Sequence, residues 1–414
     1  MRALGRAAAV VAAGATIAGC AGGPGSGGSG DKISDGKVVL AVLNDQSAIY
    51  ADLSGKSSVE AVNMAVADYR AKYGDKAVAK DIEVLSADHQ NKPEVANSKA
   101  QELYDRQHAD VILDVPSSAA ALAVAGVAKG KKKIFMDIGA ATTELEGAQC
   151  NKYTFHYGYN TYMLAHGTGE TVTKDGSKNW YIVYPDYAFG QDMQKNFTAA
   201  VKGAGGTVIQ SDPAPFPNDN FSTFLLKAPG LSPKPEVLGT MQAGGDLVNL
   251  VKQYNEYKLR DKGIGLAVGL MFITDIHSLG PDALAGTKFT DAWYWNTTPE
   301  NRAWADKFQA KVNKRPSFPN AANYSAATQY LEAVQRAGTD GSDAVVKELE
   351  GFKFQDVFAR NATIRAQDHL LLHDVSLAQV KPSSEVKEPW DYEKILSTIP
   401  ADQAFLPADP ACML

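Results

Sequence analysis

From Lys37 onward the chain alternates short apolar runs with longer amphipathic stretches. "KVVLAVLND" leads into "SSVEAVNMAVADYRAKY", where Val59, Val62, Met64 and Val66 fall near helical spacing. "DIEVLSAD" leads into "PEVANSKAQELYDRQ", and "DVILDVP" into "SSAAALAVAGVAK"; "KIFMDIGA" and "KYTFHYG" complete this first set. A second set begins after Asn160 with "NWYIVYPD", "TVIQSDPAPF", "PEVLGTMQ" and "GIGLAVGLM", each followed by a helix-like segment. Near-continuous apolar strands between helices predict parallel sheets covered on both faces. The fold class expected is therefore α/β, with two doubly wound parallel-sheet lobes. Further helices are predicted in "TDAWYWNTTPENRAWADKFQAKV" and "NYSAATQYLEAVQRAG", and a strand pair in "HLLLHDVSLAQV". No Gly/Ser/Pro-rich linker divides the sets, so the chain is expected to cross between lobes more than once. We place the N-terminal lobe at 37–157, with 292–360 returning to it, and the C-terminal lobe at 158–291, with about 361–385 returning. A tail follows at 386–414.

The first residues change the picture. "MRALGR" supplies two arginines, an apolar run too short to span a bilayer follows, and "IAGC" ends it at Cys20. Residues 1–20 therefore read as an export signal, and Ile17-Ala18-Gly19-Cys20 resembles the bacterial lipobox, whose cysteine is lipidated. An ordinary signal peptide with a chance cysteine is the alternative. Residues 21–36, opening with "AGGPGSGGSG", read as a flexible tether. With Cys20 set aside, only Cys150 and Cys412 remain. In an exported context they make one possible bridge, stapling the tail to the segment after "IFMDIGAATTEL"; two separate buried thiols are the alternative. Two cysteines alone make no structural zinc site. A net charge of -6 and a pI near 5.7 argue against nucleic acid as the partner.

Signatures of catalysis are missing: no Gly-x-Ser-x-Gly, no phosphate-binding Gly-x4-Gly-Lys, no His-Glu-x-x-His. "GAGG" at Gly203–Gly206 follows a helix and precedes a strand, the wrong order for a dinucleotide cradle, and reads as a helix end. His369 and His373 lie four apart, but three leucines between them predict a buried strand rather than a metal site. No enzyme, metal or cofactor is expected. The strand ends carry the remaining interest, because open α/β sheets bind ligands there. "DVPSSAAA" puts Ser117 and Ser118 where a helix begins, and "IFMDIGAATTEL" is predicted to run strand, turn, helix. Thr143 and Glu146 fit a capping box in that helix. Free N–H groups at two such turns would seat a carboxylate. Tyr50, Tyr187, Phe189, Met271 and Phe272 lie near other strand ends, where each could line a pocket or pack between lobes.

As a whole the chain after Lys37 resembles the Leu/Ile/Val-binding type of periplasmic solute-binding protein. The resemblance runs through "VVLAVLNDQSAIYADLSGKSSVEAVNMAVADY", "VILDVPSSAAALAVAGVAKGKKKIFMDIGAATTEL", "YPDYAFGQ", "AGGDLVNLVKQ", "LGPDALAG" and "NYSAATQYLEAVQRAGT". It implies two lobes joined by three crossover strands that close on a ligand, and delivery of that ligand to an ABC-type permease by a monomeric, exported receptor. It places a carboxylate seat on Ser117 or Ser118 with Ala140 and Thr142, a tyrosine at Tyr50, and second-lobe aromatics at Tyr187 and Phe189. Amino-acid binders of the family hold an ammonium with a second-lobe tyrosine and glutamate. The matching stretches here offer Gly244 or Gly245 and Leu270 or Met271 instead. A buried ammonium with no carboxylate is costly, so a carboxylate with an apolar or aromatic body is expected, unless Asp246 or Asp275 substitutes. The "PWDYEKILSTIP…FLPADPACML" tail resembles the aromatic-acid branch. A branched-chain amino-acid receptor, or a ligand sensor feeding a signalling partner, is the alternative.

Overall fold

The computed structural model describes residues 33–414; the export signal, Cys20 and the tether as far as residue 32 lie outside the described residues. A five-stranded parallel sheet comes first: β1 (Val38–Asn44), β2 (Ile82–Asp88), β3 (Val111–Asp114), β4 (Ile134–Asp137) and β5 (Thr154–His156), in spatial order β2-β1-β3-β4-β5. Three helices cover it: α1 (Gly55–Tyr73), α2 (Pro93–Asp105) and α3 (Ser118–Lys131). Every residue of β1 is buried. Val38, Leu40 and Val42 pack into one apolar cluster with Val62 and Tyr69 of α1. Val39, Ala41 and Leu43 pack into another with Ala96 and Leu103 of α2 and Val124 of α3. The period of two thus feeds both faces, and each fully buried Val or Leu contributes about 1.5–3 kcal/mol. The basic run at Lys129–Lys133 is the end of α3, where Lys132 turns left-handed at φ 54° and the lysines face the negative helix terminus.

The second lobe repeats the plan. After α4 (Thr161–Leu164) and α5 (Glu170–Lys174), the strands β6 (Asn179–Pro185), β7 (Thr207–Ala214), β8 (Val237–Thr240) and β9 (Gly265–Val268) form a parallel sheet in order β7-β6-β8-β9. Their helices are α6 (Ala188–Gly203), α7 (Ser222–Lys227), α8 (Gly244–Glu256) and α9 (Ile273–Leu279). The chain then passes through β10 (Lys288–Asp291) to α10 (Pro299–Val312), α11 (Phe318–Ala337) and α12 (Ser342–Leu349). α11 lies along α1, tied by Tyr324 to Asp68, Tyr69 to Gln335 and Lys72 to Glu332.

The strands that follow divide differently from expectation. β11 (Lys353–Phe354), β12 (Ala362–Ile364) and β13 (Leu371–Leu372) form a small antiparallel sheet beside β5, where the His156 N–H donates to the His369 carbonyl. Residues 361–372 therefore sit with the first sheet. β14 (Val375–Val380) pairs instead with β10 and with β15 (Glu393–Ile399), so "HLLLHDVSLAQV" is not a strand pair. The break falls at His373 and Asp374. His373 hydrogen-bonds the Gly158 carbonyl at 2.6 Å, and Asp374 accepts from Ala401 N–H at the start of α13 (Ala401–Ala404). His369 stacks on Phe155 at 4.2 Å and meets Glu350, so both histidines are packing groups. Beyond α13 the tail returns to the first lobe, where Cys412 is disulfide-bonded to Cys150 across 262 positions.

Candidate ligand-binding site

In each lobe the chain order reverses beside the first strand, β1 between β2 and β3, and β6 between β7 and β8. Loops leaving such a pair diverge and open a crevice at the carboxyl ends. One cavity lies where these crevices face each other. Its wall takes Tyr50 from the loop after β1, Ser117 and Ser118 from the end of β3, and Gly139, Ala140 and Ala141 from the end of β4. Tyr159 comes from the crossing after β5; Tyr187 and Phe189, Ala243 and Leu270 follow β6, β8 and β9.

The turn into α3 is built on an unusual backbone. Asp114 and Val115 both have positive φ, 84° and 67°. The buried Asp114 accepts from Asn44 Nδ2 at 2.9 Å, its other oxygen has no partner, and burial pushes its carboxyl up to about 6 against the pull of Asn44. Pro116 then leads through extended Ser117 into α3. The first N–H groups of a helix have no intrahelical acceptors. Ser117 makes no capping bond, and the buried hydroxyl of Ser118 has no partner. Gly139 packs directly on this turn: a Cβ there would stand 2.5 Å from Pro116 Cα. The turns after β3 and β4 are therefore in contact, with Ser118 and Ala140 on one wall.

After β4 the expected helix and capping box are replaced by a single 3₁₀ turn, Thr143–Leu145. Long-range partners have taken both residues of the box. Thr143 donates from its N–H and hydroxyl to Asp192 of α6, in the other lobe. Glu146 accepts from Asn160 and pairs with the buried His156 at 2.5 Å. His156 Nε2 reaches the Ala140 carbonyl at 3.1 Å, bracing the turn from behind. Burial alone would lower this imidazole, but Glu146 and then Asp137 outweigh it and push it up to about 9. Thr142 is buried and accepts weakly from Glu144 N–H; it stands behind the cavity wall, which Ala140 and Ala141 form.

The second lobe closes the cavity. Tyr50 and Tyr187 hydroxyls meet at 2.6 Å; whichever accepts has its own proton left to offer a ligand. Tyr187 stacks on Phe216 at 4.3 Å. Nearby the Gly245 N–H donates to the Ile49 carbonyl, and Gly244, at φ 56°, lies so close that a Cβ would stand 2.7 Å from that oxygen. Met271 and Phe272 do not reach the wall. Leu270 points into it, while Met271 is buried beyond and Phe272 stacks on Phe318 at 4.9 Å. Asp246 and Asp275 are also off the wall, each buried and pushed up to about 7 by that burial; Asp246 accepts from Asn218 N–H and Asp275 from Phe272 N–H.

No Asp, Glu, Lys or Arg lines this cavity. Its empty volume, counted out to the open mouth, is about 230 Å³. Its lining combines the hydroxyls of Ser117, Ser118 and three tyrosines with rings and aliphatic groups. Sequence reasoning missed Leu53, Pro116, Gly139, Ala141, Tyr159 and Ala243, and missed His156 behind the wall. The proline in "DVPSS" and the glycine in "DIGAA" were the only local signals.

The sequence pattern of the periplasmic binding protein family matches residues 37–385. This chain belongs to that family. A periplasmic binding protein from Burkholderia mallei is 43% identical and superposes with a TM-score of 0.86, over 91% of this chain and 98% of its own. A branched chain amino acid ABC transporter periplasmic ligand-binding protein from Burkholderia xenovorans is 34% identical, TM-score 0.79, over 90% and 97%. A Rhodopseudomonas palustris ABC-transporter solute-binding protein in complex with benzoate shares the fold at 21% identity, TM-score 0.77, over 91% and 98%. No curated protein matches the chain. Periplasmic binding proteins capture solutes for ABC transporters without transforming them, and membership implies export to the periplasm. Among the described residues no helix is long and apolar enough to cross a membrane.

Proposed function

We propose that this periplasmic binding protein captures a small organic acid with an apolar, preferably aromatic, body between its lobes and delivers it to an ABC-type permease. The protein acts as a monomer held to the membrane by a lipid on Cys20, after the tetrad Ile17-Ala18-Gly19-Cys20. One observation carries the ligand class: the wall offers hydroxyl and N–H donors at the Ser117–Ser118 end and no ionisable carboxylate anywhere. An α-ammonium buried there would lack a counter-charge, which is costly. A carboxylate would meet donors at a helix terminus. The R. palustris neighbour's benzoate indicates that the fold can hold an aromatic acid. The B. xenovorans relative's description favours the second reading, a branched-chain amino acid.

Calorimetric titration of residues Asp31–Leu414, unfolded and refolded under oxidising conditions to strip carried ligand, decides between them. The expected result is tight binding of an aromatic or other apolar acid and none of leucine or valine. Tight binding of leucine or valine would overturn the proposal and direct attention to Asp246, whose Oδ1 is buried without a partner.

A further inference from the structure

The cavity between the lobes is small, and a second one adjoins it. A second cavity, of about 540 Å³, is lined by Ile49 and Pro93 of the first lobe and Phe216 and Pro217 of the second. Ala48 and Ala119 add further apolar wall, with Gln90, Asn91 and Lys92 completing the lining. The two cavities share Ser117 and Tyr187. Between them stand three rings: Tyr50 and Tyr187 joined through their hydroxyls, and Phe216 stacked on Tyr187 and 5.7 Å from Tyr50. A ligand whose carboxylate sits at Ser117 and Ser118 is thus already at the boundary of the outer chamber.

We infer that the ligand is an elongated acid, an arylalkanoate or arylalkenoate with at least two carbons between ring and carboxylate, whose body passes Tyr187 into the outer chamber. This rests on the carboxylate seat proposed above. The chamber walls come from both lobes, so they meet around the ligand only when the lobes do. Chain length is then the specificity variable, since each methylene moved from water to apolar wall tightens binding about fourfold. Benzoate and the branched-chain amino acids are too short to gain from it.

The test is calorimetric titration of refolded residues Asp31–Leu414 with benzoate, phenylacetate, 3-phenylpropanoate and 4-phenylbutanoate, repeated on Ala48→Trp. Ala48 is exposed and lines the chamber but not the inner cavity, so the indole narrows the chamber from its outer side, away from Ser118. Affinity should climb about fourfold per methylene beyond benzoate, and Ala48→Trp should erase the climb while leaving benzoate unchanged. Benzoate binding as tightly as the longer acids, or a climb that survives Ala48→Trp, overturns the inference and leaves the seat standing. Failure of every acid, benzoate included, overturns seat and chamber together.

Discussion

Ser118→Ala separates a ligand contact from a helix cap. Ser118 is the first residue of α3, it is 1% exposed, and its hydroxyl has no hydrogen-bond partner. A hydroxyl bonded to a carboxylate contributes about 1.5–3 kcal/mol, so its loss should weaken acid binding roughly ten- to hundredfold. Stability should move the other way. A buried polar group with no partner costs about 1–3 kcal/mol, and alanine removes it without leaving a cavity larger than the lost oxygen. The variant should therefore unfold at the same denaturant concentration as the parent or a higher one, while its dissociation constant rises. Calorimetry and urea unfolding, both on the oxidised protein, measure the two quantities independently. If affinity is unchanged, or if stability falls by about 1 kcal/mol as it would for a lost cap, Ser118 holds the helix start and not the ligand.

Two further outcomes follow from contacts around the cavity. Gly244→Ala places a methyl group against the Ile49 carbonyl and strains a left-handed residue by about 1–2 kcal/mol, so it should keep the fold, weaken acid binding roughly five- to thirtyfold and retain an expanded scattering radius at saturating acid; parental affinity would show that this contact does not report closure. His156 has its pKa raised from 6.5 to about 9, so the stability it lends is complete below about pH 6.5 and lost as pH climbs through 9, a difference of about 3 kcal/mol. The parent should lose about 3 kcal/mol more than His156→Gln over that window, since the raised Asp246 and Asp275 carboxyls cost both proteins alike, and parallel urea midpoints for the two would exclude a charged, paired histidine behind the Ala140 turn.

The lobes were legible because their signal is local and repeated: seven buried residues of β1 alternate between two covered faces, and most apolar runs are followed by a helix. That regularity also located the strand ends, and Tyr50, Ser117, Ser118, Ala140, Tyr187 and Phe189 share one wall. What stayed hidden depends on residues distant in the chain. Thr143 and Glu146 spell a capping box, but Asp192, 49 residues away, and His156 bind them first, and a charge-assisted pair outweighs a local cap. Met271 and Phe272 failed for a different reason. Adjacent residues leaving a strand point to opposite sides, so Met271 enters the core where Leu270 meets the cavity, while Phe272, the residue before α9, stacks on Phe318.

The backbone at Asp114–Val115 shows the same divide most sharply. Valine is β-branched and stands before proline, two restrictions that each disfavour the left-handed region, yet its φ is 67° directly after another positive value. Such residues cost about 1–3 kcal/mol each and persist only where the surroundings enforce them. Here the enforcement is visible: Asn44 holds Asp114 from β1, Val115 N–H continues the ladder to Leu43, and Gly139 leaves no space behind Pro116. The result turns the chain so that Ser117 and Ser118 enter α3 facing the other lobe and not the sheet. A sequence whose local preferences are otherwise obeyed breaks them at the switch point between β1 and β3, where a doubly wound sheet binds its ligand. The strain is therefore independent support for the seat, because a structural turn between β3 and α3 could have been made at lower cost with glycine at either position.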